Sequence, residues 1–228
     1  MKQSIILAEY QIKAIQNDNL SAICVPMDKD IINRCDIEVD GSIISYQDEY
    51  GNHVDVITQA PYALNKPLYV RETWKVQAAH RFESDVRIEF KTGGDMKKIQ
   101  FAHGSSQSID RCEYDAFIEK HFRSSGWESP ATMPKAAARY TLTPIMITAM
   151  RVQDVTNDMA RKLGIDGKCL CSSSGCDGSL STVVRDFSVE RFGTLLDAQY
   201  AKRGFGWDSN PWVWFMDVKV ERRNKTNG

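Results

Sequence analysis

The sequence predicts an α+β protein, a small β-barrel decorated with helices, and three observations carry that prediction. Several short runs alternate apolar and polar residues. Few runs carry helical spacing. The last apolar run, Trp212 to Val220, alternates as a strand that would close the sheet. At 228 residues the chain suits a single domain, with an irregular insertion around 103–132 and a Cys/Ser/Gly loop around 166–179.

In chain order, Ser4 to Ala8 reads as a short buried strand, and Glu9 to Asp18 places Ile12 and Ile15 on one helical face. Asp36 to Tyr46 alternates around Asp40-Gly41, a hairpin signature. Leu68-Tyr69-Val70 is a compact strand. Val86 to Phe90 and Lys98 to Phe101 flank Thr92-Gly93-Gly94-Asp95 as a second hairpin, and Tyr114 to His121 is the one helix expected within the insertion. Arg139 to Val155 is rich in β-branched residues and predicts a long strand bent at Pro144. Thr156 or Asn157 caps a short helix that stops at Gly164, and Val183 to Lys202 is an amphipathic helix. Trp212, Trp214, Met216, Val218 and Val220 share one face of the last strand.

Composition narrows the function classes. The chain carries 29 basic and 30 acidic residues, a net charge of −1. That balance argues against a salt-driven, non-specific nucleic-acid binder, which needs a basic excess, but permits a local pocket for one nucleotide. The apolar run at the N-terminus is too short for a signal peptide and is cut off by Glu9, and no stretch approaches a spanning helix. No membrane association is therefore expected, and a cytoplasmic location is. Of the 6 cysteines, Cys169, Cys171 and Cys176 form the one cluster. A zinc would need a fourth ligand from Cys112 or a distant His. The reading adopted is a Ser/Gly loop with incidental thiols, with no metal and no cofactor. His53, His80, His103 and His121 have no ligand-like spacing, and phosphate-loop, dinucleotide and nucleophile-elbow motifs are absent.

Three segments carry candidate chemistry. In Lys66-Pro67-Leu68-Tyr69-Val70-Arg71-Glu72-Thr73-Trp74, strand alternation sends Tyr69, Arg71 and Thr73 one way and Val70, Glu72 and Trp74 the other. A charged pair at a strand end beside an aromatic lines a polar pocket; the plain alternative is a surface ion pair. Prolines 130 and 134 then hold an extended segment ahead of Lys135 and Arg139, cations placed for an anion or a carbonyl, or a mere connector. The third segment, Gly204 to Trp214, holds three of the five tryptophans. Trp207 offers a stacking face and Asn210 an amide able to read a base edge, whereas Trp212 and Trp214 include a core face.

Taken in order, four segments resemble a family of phage and prophage proteins with an ASCH-type, PUA-like fold, some labelled "morphogenetic protein". They are Lys66 to Trp74, Met133 through Arg139, Val152-Gln153-Asp154-Val155 leading into Ala160 to Ile165, and Tyr200 through Trp214. The resemblance implies a PUA-like β-barrel with a cleft for RNA, DNA or a modified nucleoside. A related small bacterial ASCH enzyme removes the acetyl group from N4-acetylcytidine, using a Lys and a Thr of a Gly-x-Lys-x-x-Thr-x-Arg-like motif and a later Glu. Here Leu20, Ile23 and Cys24 stand at the Lys, Thr and Arg positions. Leu and Ile supply neither base nor nucleophile, so the resemblance implies a binder that has lost the activity, even if Glu72 matches the later carboxylate.

The leading expectation is therefore a nucleotide or nucleic-acid binder. Arg71, Lys135 and Arg139 hold phosphate or carbonyl oxygens, Trp74 and Trp207 stack, and Glu72 or Asn210 reads a base edge. The alternatives are a nucleoside amidohydrolase with relocated catalytic groups and an assembly protein that contacts a phage or host partner.

Overall fold

A computed structural model describes residues 3–37, 43–101, 111–122, 126–174 and 180–223. In chain order the elements are β1 (Ser4–Ile6), α1 (Glu9–Gln16), β2 (Ala22–Pro26), α2 (Lys29–Ile32), β3 (Cys35–Ile37), β4 (Ile43–Gln47), β5 (His53–Val54) and β6 (Leu68–Arg71). They continue with β7 (Trp74–His80), β8 (Asp85–Phe90), β9 (Lys97–Gln100), α3 (Arg111–His121) and β10 (Tyr140–Arg151). The chain ends with α4 (Asn157–Lys162), β11 (Lys168–Ser174), β12 (Leu180–Asp186), α5 (Ser188–Tyr200) and β13 (Trp212–Arg222). This is a mixed α+β protein dominated by sheet. Among the described residues no helix is long and apolar enough to cross a membrane.

The chain divides into two compact units. Unit 1 comprises Asn17–Asn65 and Pro144–Lys219; unit 2 comprises Lys2–Gln16, Lys66–Thr143 and the residues after Lys219.

In unit 2, β1 runs parallel to β6 with Ile5 opposite Val70, and β6 runs antiparallel to β10 with Tyr69 opposite Thr141. Side chains alternate across a strand, so Leu68, Val70, Glu72 and Trp74 are buried while Tyr69, Arg71 and Thr73 are half-buried, as the spacing predicts. Ile12 and Ile15 of α1 are buried, and the Gln11 side chain turns back to accept a hydrogen bond from the Ala8 N–H at 3.0 Å, which satisfies a donor at the helix start. The expected hairpin is β8–β9, and β7 extends it to a three-stranded meander. The Lys-Val-Gln-Ala-Ala spacing of β7, with a register shift between Val76 and Ala78, hides its alternation. Trp74, Val86, Ile88, Phe90, Ile99, Tyr114, Met133, Ala137 and Ala138 form the core of this unit.

In unit 1 the order β10-β13-β2 makes β13 an interior strand. Trp212 through Val218 are buried on both faces, not on one. Ile23 lies opposite Met216 and Cys24 opposite Phe215. The Thr156 hydroxyl accepts from the Met159 N–H, capping α4, and Gly164 follows the helix at φ +81°.

Two expectations need correction, and a third falls on residues outside the description. Residues 168–174 of the expected loop form strand β11, which pairs with β12, Leu170 opposite Val184, so helix α5 starts at Ser188 and not at Val183. β-branched Val183 and Val184 favour the ladder, and the local helical spacing misleads there. Asp40-Gly41 falls outside the described residues, although β3 and β4 do pair antiparallel. Finally, no strand order returns to its first member among the described residues, so no closed barrel forms.

Gly167 marks a close approach in unit 1. Its N–H donates to the Ser188 hydroxyl at 2.9 Å, and a Cβ placed there would sit 2.2 Å from the Ser188 backbone nitrogen. Gly167→Ala is expected to destabilise the protein by about 3 kcal/mol or more, because a backbone clash cannot be relieved by rotamer change. Chemical denaturation with an unchanged midpoint would contradict this.

Candidate functional site

The unit 2 residues come together, but mostly with one another. Glu72 and Arg139 have side chains only 0% and 7% exposed and form a two-pronged ion pair, with Nη2–Oε2 at 2.6 Å and Nε–Oε1 at 3.2 Å. Arg139 also donates to the carbonyls of Gly93 and Asp95 at 2.8 and 3.2 Å and to the Thr92 hydroxyl at 3.2 Å; that hydroxyl in turn donates to Glu72. All five guanidinium N–H groups are thus used inside the chain. Phe90 lies beneath the guanidinium at 4.0 Å. Gly94, at φ +85°, lets the β8–β9 turn approach, since a Cβ there would meet Nη1 at 2.8 Å. This corrects two expectations: Arg139 has no donor left for a phosphate, and Glu72 has no face towards a base.

Trp74 is also a core residue. It is fully buried, its Nε1–H donates to the Thr132 hydroxyl at 3.3 Å, and it packs against Phe117 and His121. It has no free face for stacking. His121 Nδ1 meets Glu128 at 2.8 Å in the same buried network.

Arg71 and Lys135 converge instead on Tyr69. Arg71 Nη2 donates to the phenol oxygen at 2.7 Å and Nη1 to the Ala131 carbonyl at 2.9 Å, and Lys135 Nζ stands 6.0 Å from the ring centre. The Arg71 hydrogen bond holds the Tyr69 phenol below the usual tyrosine range. Partial burial opposes it, and Ser4 and the charges of Arg71 and Lys135 add to it.

In unit 1, Trp207 packs edge-on against Phe192 of α5, with ring centres 6.1 Å apart. Its backbone N–H donates to Asp197, and its carbonyl accepts from Gln153. Asn210 adopts a left-handed conformation, φ +43°. Its side-chain oxygen accepts from the Gln153 N–H at 3.1 Å, and its carbonyl accepts from Arg151 Nη1 at 3.0 Å. The Asn210 amide oxygen therefore holds the turn and is not presented to a base edge.

That turn positions a cavity of about 340 Å³. Its walls include Lys29, Asn33, Arg151, Phe205, Ser209 and Trp212. The Arg151 guanidinium lies 4.7 Å over the Trp212 ring, and Lys29 Nζ lies 5.7 Å from the Phe205 ring centre. Among the described residues neither cation has a carboxylate partner. The Trp212 Nε1–H is buried without an acceptor.

Sequence reasoning missed Lys29, Arg151 and Phe205. Phe205 lay inside a segment already singled out, but Lys29 and Arg151 are brought to it by strand pairing, which no local spacing encodes. Leu20 and Ile23, where the resemblance places catalytic residues, are buried in unit 1. Elsewhere, donor atoms of His80, Glu83 and Asp85 lie within 4.8 Å of one another, and Lys98 Nζ stands there, 2.7 Å from Asp85. Cys176 lies outside the described residues, as do the side chains of Cys112, Cys169 and Cys171. Comparison with protein-family models, curated proteins and solved structures gave no match.

Two outcomes test these assignments. Glu72→Gln is expected to cost about 3–5 kcal/mol by stranding a buried guanidinium, while the double change Glu72→Met with Arg139→Met recovers most of the loss. A mild effect of the single change, read by urea unfolding, would show that the pair is not structural. In an ultraviolet titration, one phenol is expected to ionise ahead of the ordinary tyrosines and to return to their range in Arg71→Ala. An unchanged curve in that variant would contradict the Arg71 assignment.

Proposed function

We propose that this chain is a PUA-like nucleotide or nucleic-acid binder that holds its ligand without turning it over. The observation that carries the reading is the unit 1 cavity, where two cations without carboxylate partners stand beside two aromatic rings. Aromatic faces stack on bases, and Lys and Arg hold phosphate oxygens. A net charge of −1 is compatible with such a local site, because a pocket needs only its own cations and not a basic track across the surface. The cavity walls offer no carboxylate, imidazole or thiol among the described residues, the groups that most often act as general base, which supports binding over hydrolysis. A sheet-dominated α+β architecture is compatible with the PUA-like assignment.

The test is a tryptophan-fluorescence titration with nucleotides and short RNA and DNA strands at low and moderate salt, followed by chromatography of the mixtures. Saturable quenching, weakened roughly tenfold in Arg151→Ala, with ligands recovered unchanged, is the expected result. A flat response to every ligand would overturn the binding assignment, and a converted ligand would overturn the absence of turnover.

A further inference from the structure

Resting on that reading, we propose that the unit 1 cavity takes a single nucleoside bearing a terminal phosphate monoester, not the interior of a strand. Lys29 and Arg151 hold the phosphate, and the base lies against Phe205. Three observations on this one cavity point there.

The first is size. At about 340 Å³ the cavity stands at the low end of small-molecule sites, which run from roughly 300 to 1,000 Å³, so it suits one compact ligand. The second is charge. Two cations line the cavity, and among the described residues neither meets a carboxylate. A phosphate monoester carries about −1.5 to −2 charge near pH 7. A phosphodiester inside a strand carries about one negative charge and leaves one of the two cations uncompensated.

The third is orientation. Arg151 is fixed from two sides, by the Asn210 carbonyl at 3.0 Å and by the Trp212 ring at 4.7 Å. The Asn210 bond uses one N–H, and the remaining donors of the fork have no acceptor among the described residues. Holding a cation in place beforehand lowers the ordering cost of binding.

Isothermal titration calorimetry tests this with each of the four ribonucleoside 5′-monophosphates, the matching nucleosides, inorganic phosphate, and dinucleoside monophosphates that lack a terminal phosphate. At least one monophosphate is expected to bind tenfold or more tightly than its nucleoside and than any dinucleoside, and to weaken as pH falls below about 6, where the phosphate loses a charge. Lys29→Ala and Arg151→Ala, checked for folding by circular dichroism, are each expected to weaken the monophosphate about tenfold and to leave the nucleoside unchanged. Dinucleosides binding as tightly as monophosphates would overturn the terminal-phosphate assignment while leaving nucleic-acid binding intact. Inorganic phosphate binding as tightly as the nucleotides would overturn the base contact. No binding by any of these probes, together with a flat fluorescence response to the RNA and DNA strands, would overturn both this inference and the reading on which it rests.

Discussion

Unit 2 is organised around one expensive interaction, the buried Glu72–Arg139 pair. Removing two charges from water costs several kcal/mol per ion, and only close geometry with every donor satisfied offsets it. The chain meets that condition by bringing three separate stretches to one point. Glu72 follows β6, Thr92 to Asp95 form the β8–β9 turn, and Arg139 precedes β10. Glycine at 94 is part of the same requirement, since a side chain there would collide with the guanidinium. A mismatch at any of the three leaves a stranded charge, so the pair specifies register as well as adding stability.

The unit 1 cavity treats its cations in the opposite way. Lys29 and Arg151 are set against aromatic rings, not carboxylates. An aromatic face orients a cation without neutralising it, which leaves charge available to an incoming anion. The two units therefore show the two uses of a charged side chain, as an internal tie that is fully consumed and as an external hand that is held open. Functional inference belongs with the second, because a group with no spare donor gives a ligand nothing to bind.

Much of the fold was legible from local pattern. Alternation in Leu68 to Trp74 placed Glu72 and Trp74 on the buried side, and the Thr156 cap and Gly164 stop bounded α4. Where signals conflicted, pairing decided: Val183 and Val184 lie in a hairpin although their spacing suits a helix, and β7 is a strand despite a bulge that breaks its alternation. The site was less legible for a physical reason. Sequence shows that Glu72, Trp74 and Arg139 are chemically capable, but burial and the satisfaction of hydrogen bonds decide whether that capability faces outward. Lys29, Arg151 and Phe205 are far apart in the chain, and only the β10-β13-β2 order and the turn held by Asn210 make them neighbours.

The central claim is that ligand enters the unit 1 cavity and meets Trp212. The most direct measurement is a proton–nitrogen NMR spectrum of the tryptophan indoles, with the Trp212 signal assigned by its loss in Trp212→Phe, recorded during addition of a nucleoside monophosphate. The account predicts a saturable displacement of the Trp212 Nε1–H resonance as phosphate settles on Arg151 over its ring, with the Trp74 resonance of the unit 2 core unmoved. A Trp212 resonance that stays in place while bound nucleotide perturbs other indoles would contradict it.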